Sequence, residues 1–184
     1  MNYLVVGSTI LGPVITDYLS ANDDEVWNFG EDFDFKVKEV QIKGSIGRVG
    51  DIIAAVGDFR ENDVIFDGVI FTDFFKRAQT LNLSIIDPVL LQSHMMANVT
   101  GPMYLMDSLM GFGCLEKNSK GLFVYNMENR EEGKEFIPYS YSVKALCEAV
   151  PLFNQYRPNY QLEIVHRLTD DDPALCNRIV VLLQ

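Results

Sequence analysis

Short apolar runs alternate along the chain with stretches of helical period. Residues 3–6 form a continuous β-rich run that Gly7-Ser8-Thr9-Ile10-Leu11-Gly12 interrupts. Pro13 suits the first turn of a helix, and Val14, Ile15, Tyr18 and Leu19 then recur at helical spacing. After Ala21-Asn22-Asp23-Asp24, residues 25–29 read as a second strand, and residues 39–42 alternate like a more exposed third one. A short helix is expected over 51–56. Residues 67–71 read as a buried strand, with 64–66 as its approach or as a separate short strand. Asp87-Pro88 sets a cap and a first-turn proline before a long helix running to about residue 109, with apolar positions 90, 91, 95 and 99. A buried strand over 121–125, a helix over 142–153 and a strand over 162–165 follow. Asp172-Pro173 repeats the cap signature before 174–183, which fits helix or strand.

Near-continuous apolar strands alternating with helices indicate a parallel sheet covered on both faces. Right-handed crossovers make a three-layer, doubly wound α/β sheet of Rossmann type the economical arrangement, and ligands in such sheets bind outside the carboxyl ends of the strands. The 184 residues form one expected domain, 1–184, without repeat or linker.

The chain carries 15 Lys and Arg against 26 Asp and Glu, a net charge of −11, with its basic residues scattered. That balance repels phosphate backbones and anionic headgroups, so no nucleic-acid or membrane partner is expected. Met95 to Phe112, the longest apolar stretch, includes Asn98, Thr100, Asp107 and Ser108, which argues against a membrane span. Cys114, Cys147 and Cys176 lack metal or redox spacing, the odd number cannot pair fully, and no basic segment precedes the first apolar run. A reducing, cytoplasmic setting is the expectation.

The glycine turn has the outer two glycines of a G-x-G-x-x-G fingerprint, with Thr9 where the middle glycine lets backbone approach a pyrophosphate. It reads equally as a tight strand-to-helix turn without a ligand. Glu31 or Asp32 stands where an acidic residue would grip an adenosine ribose. His94 and His166 have no partners at zinc spacing, Ser93-His94 sits in no nucleophile elbow, and Asp170-Asp171-Asp172 reads as helix capping. No metal site is expected.

In its middle the chain resembles the short-chain dehydrogenase/reductase family. Residues 87–105, with Asn98-Val99-Thr100-Gly101, look like that family's fourth helix. Gly121-Leu122-Phe123-Val124-Tyr125-Asn126 is similar to its fifth strand, and Tyr139-Ser140-Tyr141-Ser142-Val143-Lys144 to its Tyr-x-x-x-Lys helix. The resemblance covers about residues 1–168 and implies Asn98, Tyr141 and Lys144 as the catalytic positions. It implies Gly7, Ser8, Thr9, Gly12, Asp32 and Thr72 as the cofactor-binding ones, for a nicotinamide dinucleotide.

The departures bear on activity. The residue four before Lys144 is Ser140, and a phenol one position off is turned by about 100° around a helix. Met127-Glu128-Asn129 stands where the family has its serine, Thr72-Asp73-Phe74-Phe75 replaces its small residues after strand four, and the glycine turn is one residue short. Little length is left for the family's further substrate loop and closing strand. The leading expectation is a protein of this descent that has lost the catalytic set and acts as a binding or structural module. Weak or no NAD(H) binding is expected, and NADP(H) binding still less. The alternatives are a nicotinamide-dependent reductase with an atypical site and a small-anion sensor. Five methionines between 95 and 110 suggest an adaptable helix face. Helices 87–109 and 142–153 are therefore the expected contact for a protein partner or a second copy.

Overall fold

The computed structural model describes residues 1–7, 11–31, 40–72, 74–79, 85–126, 133–167 and 172–183. Six strands, β1 (Asn2–Val6), β2 (Glu25–Gly30), β3 (Val40–Lys43), β4 (Phe66–Phe71), β5 (Leu115–Asn126) and β6 (Gln161–Arg167), form one sheet in the order β3-β2-β1-β4-β5-β6. Every pairing is parallel. The helices are α1 (Leu11–Ser20), α2 (Val49–Glu61), α3 (Pro88–Met95), α4 (Gly101–Gly111), α5 (Ile137–Tyr156) and α6 (Asp172–Leu183).

Successive strand residues face opposite sides, so each strand feeds two cores. Leu4, Val6, Trp27, Phe29, Val69, Phe71 and Phe123 join residues of α2, α4 and α5 in one. Tyr3, Val5, Val26, Ile70, Leu122 and Val124 join residues of α1 and α6 in the other. This is the three-layer, doubly wound parallel arrangement read from the sequence.

Several elements differ in extent from expectation. The helix expected over 51–56 runs from Val49 to Glu61, burying Ile52, Ala55, Val56 and Phe59. Strand β5 begins six residues before 121. Its register against β4 steps from Phe66–Leu115 to Gly68–Lys120, so three extra residues bulge from β5, with Asn118 at φ 67°. Asparagine tolerates that left-handed backbone, which hides the strand behind the polar run Glu116-Lys117-Asn118. Helix α5 starts at Ile137 with Pro138 in its first turn, and the last segment is a helix. Strand β3 runs one residue further than expected, to Lys43, and Glu39 lies outside the described residues.

The long helix has the expected start. Asp87 caps it, its side chain accepting from the N–H groups of Val89 and Leu90. It is not uniform, because Met96–Thr100 forms a π turn between α3 and α4. Pro102 has no N–H to offer the carbonyl of Asn98, and the Gly101 N–H reaches back five residues to Met96. At Gly101 the loop after β3 presses on the helix, and a Cβ would lie 1.9 Å from the Ile46 carbonyl oxygen.

The methionines of this helix serve the chain's own core. Met106 is wholly buried, and Met95, Met103 and Met110 pack against the α2–α4–α5 side of the sheet. Periodicity marked an apolar helix face but could not name its neighbour, which is the sheet. Among the described residues no helix is long and apolar enough to cross a membrane.

Gly101→Ala should therefore destabilise the protein by about 1–3 kcal/mol through overpacking, against alanine's better helix propensity. Gly57→Ala, in α2 with no atom within 4 Å of the added methyl, should stabilise it by about 0.5–1 kcal/mol. Urea denaturation midpoints of the two variants give the comparison.

Candidate functional site

Parallel strands bring all their carboxyl ends to one edge of the sheet, and Gly7 at the end of β1 and Thr72 at the end of β4 meet there. At the end of β1, Gly7 donates its N–H to the Phe29 carbonyl at 2.9 Å. Its φ of 141° is open to glycine alone. The first turn of α1 folds back so closely that a Cβ on Gly12 would lie 2.5 Å from the Gly7 carbonyl oxygen and 3.5 Å from Thr72 Oγ1. Thr72, just past β4, donates both its N–H (2.9 Å) and its hydroxyl (3.3 Å) to the Val6 carbonyl. Gly7, Gly12 and Thr72 are thus brought together. Ser8, Thr9 and Asp32 lie outside the described residues, as do Met127-Glu128-Asn129 and Asp170-Asp171. Glu31 follows β2 directly and is exposed.

Beyond Thr72, residues 74–79 form a strap that the long helix grips. Asn98, buried in the π turn, accepts the Phe75 N–H at 2.7 Å and donates to the Phe75 carbonyl at 2.9 Å. Its amide also donates to Ser142 Oγ at 2.9 Å, and Ser142 donates to the Tyr139 carbonyl at 2.7 Å. One carboxamide thereby joins strap, long helix and α5. Four residues before Asn98, buried His94 donates from Nδ1 to the Leu90 carbonyl at 2.7 Å, and its Nε2 accepts the Arg77 N–H at 3.2 Å. Burial lowers the His94 pKa below its ordinary value, opposed by the bond to Leu90. Gln79 closes the strap's far end: its N–H donates to the Glu135 carbonyl, and its side chain meets the Asp87 N–H and the Ile85 carbonyl.

The α5 residues divide between core and solvent. Tyr139 is 3% exposed, with His94 at its ring edge 6.1 Å between centroids. Tyr141 is 53% exposed and Lys144 is exposed, and neither makes a hydrogen bond or ion pair among the described residues. Ser140, four before Lys144, turns its hydroxyl back to the Phe136 carbonyl. Asn98 and Lys144 are not brought together by any bond, since the carboxamide is taken up by Phe75 and Ser142.

The described residues fit only one half of the dinucleotide that the resemblance implies. Gly7 lies against the first turn of α1, whose start suits an anion, and exposed Glu31 follows β2, where a carboxylate suits an adenosine ribose. At the other half Phe75 holds a ring against His94, 4.8 Å between centroids, and no phenol stands four before Lys144. No hydride-transfer step follows from these residues. No cluster of three metal-ligating side chains occurs among the described residues.

Ser142, His94, Gln79 and the Phe75 and Arg77 peptides are the members that sequence reasoning missed. The usable signal was the four-residue spacing of His94 and Asn98, which sets two buried polar side chains on one helix face. Asn98→Ala, which leaves both Phe75 peptide groups and Ser142 Oγ short of a partner, should cost on the order of 3 kcal/mol by urea denaturation. Ser142→Ala, which removes one of those bonds, should cost about 1 kcal/mol.

No protein-family model matches the sequence, and no curated protein matches it. Solved structures do. A carbonyl reductase from Pseudomonas aeruginosa superposes with a TM-score of 0.81 at 14% identity, over 99% of this chain and 89% of that one. A short-chain dehydrogenase/reductase from Serratia marcescens gives 0.79 at 12% identity, over 98% and 88%. A short chain dehydrogenase family protein from Francisella tularensis gives 0.75 at 18% identity, over 99% and 76%. At these identities the likeness is one of architecture, and it bears out the resemblance read in the sequence: the chain shares the fold of these short-chain dehydrogenase/reductase structures.

Proposed function

We propose that the chain is a non-catalytic binding or structural module on this fold. The observation that carries the reading is the state of α5. The family's phenol position holds Ser140, Tyr139 is packed beneath His94, and Tyr141 stands in solvent three residues from Lys144. A carbonyl reductase needs a phenol and an ammonium sharing one site, because the lysine charge lowers the phenol pKa and readies its proton. The neighbours' oxidoreductase chemistry is theirs, and the arrangement of α5 does not supply its proton donor.

On this reading nicotinamide dinucleotides bind weakly or not at all, and NADP(H) least, since exposed Glu31 repels a 2′-phosphate. The module works instead through a protein, a partner or a second copy, across the outer faces of α3, α4 and α5. Val89 is 71% exposed there, with Leu152 at 54% and Tyr156 at 72%. Scattered apolar residues are ordinary on a surface, but here they lie on adjoining helices. Three cysteines, an odd number without metal or redox spacing, suit a reducing, cytoplasmic setting. The alternative, an atypical nicotinamide-dependent reductase, draws on the preserved Gly7–Gly12 approach.

Calorimetric titration with NADH and NADPH, together with carbonyl-reduction assays of the native protein and Lys144→Ala, tests the proposal. The expected outcome is no micromolar binding and no turnover in either protein. A micromolar dissociation constant with an activity that Lys144→Ala abolishes would put the reductase in its place. Val89→Asp with Leu152→Asp should dissociate any assembly seen by light scattering and leave the far-ultraviolet spectrum unchanged.

A further inference from the structure

Asn154, half-buried in the last turn of α5, turns its carboxamide onto the start of β6. Its Oδ1 accepts the Leu162 N–H at 2.7 Å, and its Nδ2 donates to the Leu162 carbonyl at 2.9 Å. Within a strand the N–H and C=O of one residue point to the same side, and successive residues point to opposite sides. Leu162, Ile164 and His166 therefore aim their peptide groups away from β5, while Gln161, Glu163 and Val165 aim theirs at it. β6 is the last strand of the sheet, and among the described residues no strand lies beyond it. Asn154 meets Leu162 as the peptide of a neighbouring strand would.

An edge of this kind is a template on which another strand can pair. For two copies of β6, the register that uses every outward residue is antiparallel and symmetric about Ile164. Ile164 then opposes Ile164, and Leu162 of each copy opposes His166 of the other, with two hydrogen bonds exchanged at each pairing. With Leu162 already taken in both copies, only the central pairing is left, and a strand running past Leu162 would have to displace the carboxamide. The position of that carboxamide is fixed from within the chain. Asn118 donates its N–H to the Asn159 carbonyl, Tyr160 donates its own to the Arg157 carbonyl, and Arg157 Nε stands 3.1 Å from Asp107 Oδ1 on α4.

We propose that Asn154 is an edge plug: its carboxamide takes the place of a further strand at the start of β6 and keeps a second copy of this chain from extending the sheet there. A second copy is the partner excluded because the outward residues of β6 are complementary to themselves in the register about Ile164, and a two-fold contact of that kind closes on itself. A side chain that merely ties α5 to β6 would add stability without bearing on association, so the two roles separate experimentally. The plug is independent of the helix faces proposed above for assembly. Residues two apart on a helix lie about 200° from one another, so Asn154 points away from the side that carries exposed Leu152.

Sedimentation equilibrium and amide hydrogen exchange on the full chain test the plug. Every variant is built on Val89→Asp with Leu152→Asp, so that assembly through the helices drops out of the comparison. Asn154→Ala should raise the dimer association constant at least about tenfold over that parent. In the same variant the N–H groups of Leu162, Ile164 and His166 should gain protection as protein concentration rises. Ser142→Ala, which weakens the fold at Asn98, should leave association unchanged. An association constant that does not move in Asn154→Ala overturns the plug. So does an equal rise in Ser142→Ala, which is general exposure of the core, or a rise without concentration-dependent protection along β6, which is association through another surface. If Asn154→Ala fails to fold, Asn154→Ser, whose side chain is too short to bridge both Leu162 groups, carries the same readings.

Discussion

Parallel pairing leaves a sheet with no face fit for water, and the rest of this molecule follows from that constraint. Its crossovers lay helices on both sides, so every central strand must be apolar at consecutive positions, not alternate ones. β1, at the middle, sends Leu4 and Val6 to one core and Tyr3 and Val5 to the other. The same pairing points all carboxyl ends one way. The ends of β1 and β4 therefore meet whatever residues they carry, and Thr72 reaches the Val6 carbonyl because the two strands end side by side.

The long helix decides how that edge is filled. Gly101 and Pro102 shift the helix from an α to a π turn, and within the shifted turn Asn98 faces the Phe75 peptide. A carboxamide saturated by a peptide N–H, a peptide carbonyl and a serine hydroxyl is a structural tie. It binds three elements that no strand pairing connects. His94, one turn earlier, belongs to the same tie, and its ring packs between Phe75 and Tyr139.

Much of the architecture was legible because buried parallel strands are written as unbroken apolar runs, as at Leu4-Val5-Val6 and Leu122-Phe123-Val124. The Asp87-Pro88 start was legible because capping is local chemistry. The start of β5 was not, since a bulged segment obeys no alternation and Glu116-Lys117-Asn118 looks like a loop. Nor were the methionines' neighbours, because a helical period reveals a face without its partner. Asn98 was read as a catalytic position through the resemblance. Its bonds to Phe75, 23 residues earlier, and to Ser142, 44 residues later, depend on tertiary geometry that no spacing encodes. The order of Tyr139, Ser140 and Tyr141 before Lys144, by contrast, was plain in the sequence, and the structure puts the first in the core and the third in solvent.

The central place of β1 has a consequence for how the chain reaches this state. Its pairing with β2 joins Asn2 to Glu25, a closure of modest length, but its other neighbour joins Tyr3 to Gly68. Non-local parallel pairings form slowly, because loop entropy is lost before contacts reward it. During synthesis the unit β1-β2-β3 can assemble while one edge of its most hydrophobic strand stays bare until Phe66–Phe71 arrives. That interval is when the nascent chain is most exposed to pairing with the wrong strand, and when a chaperone holding the first 60 or so residues would matter most.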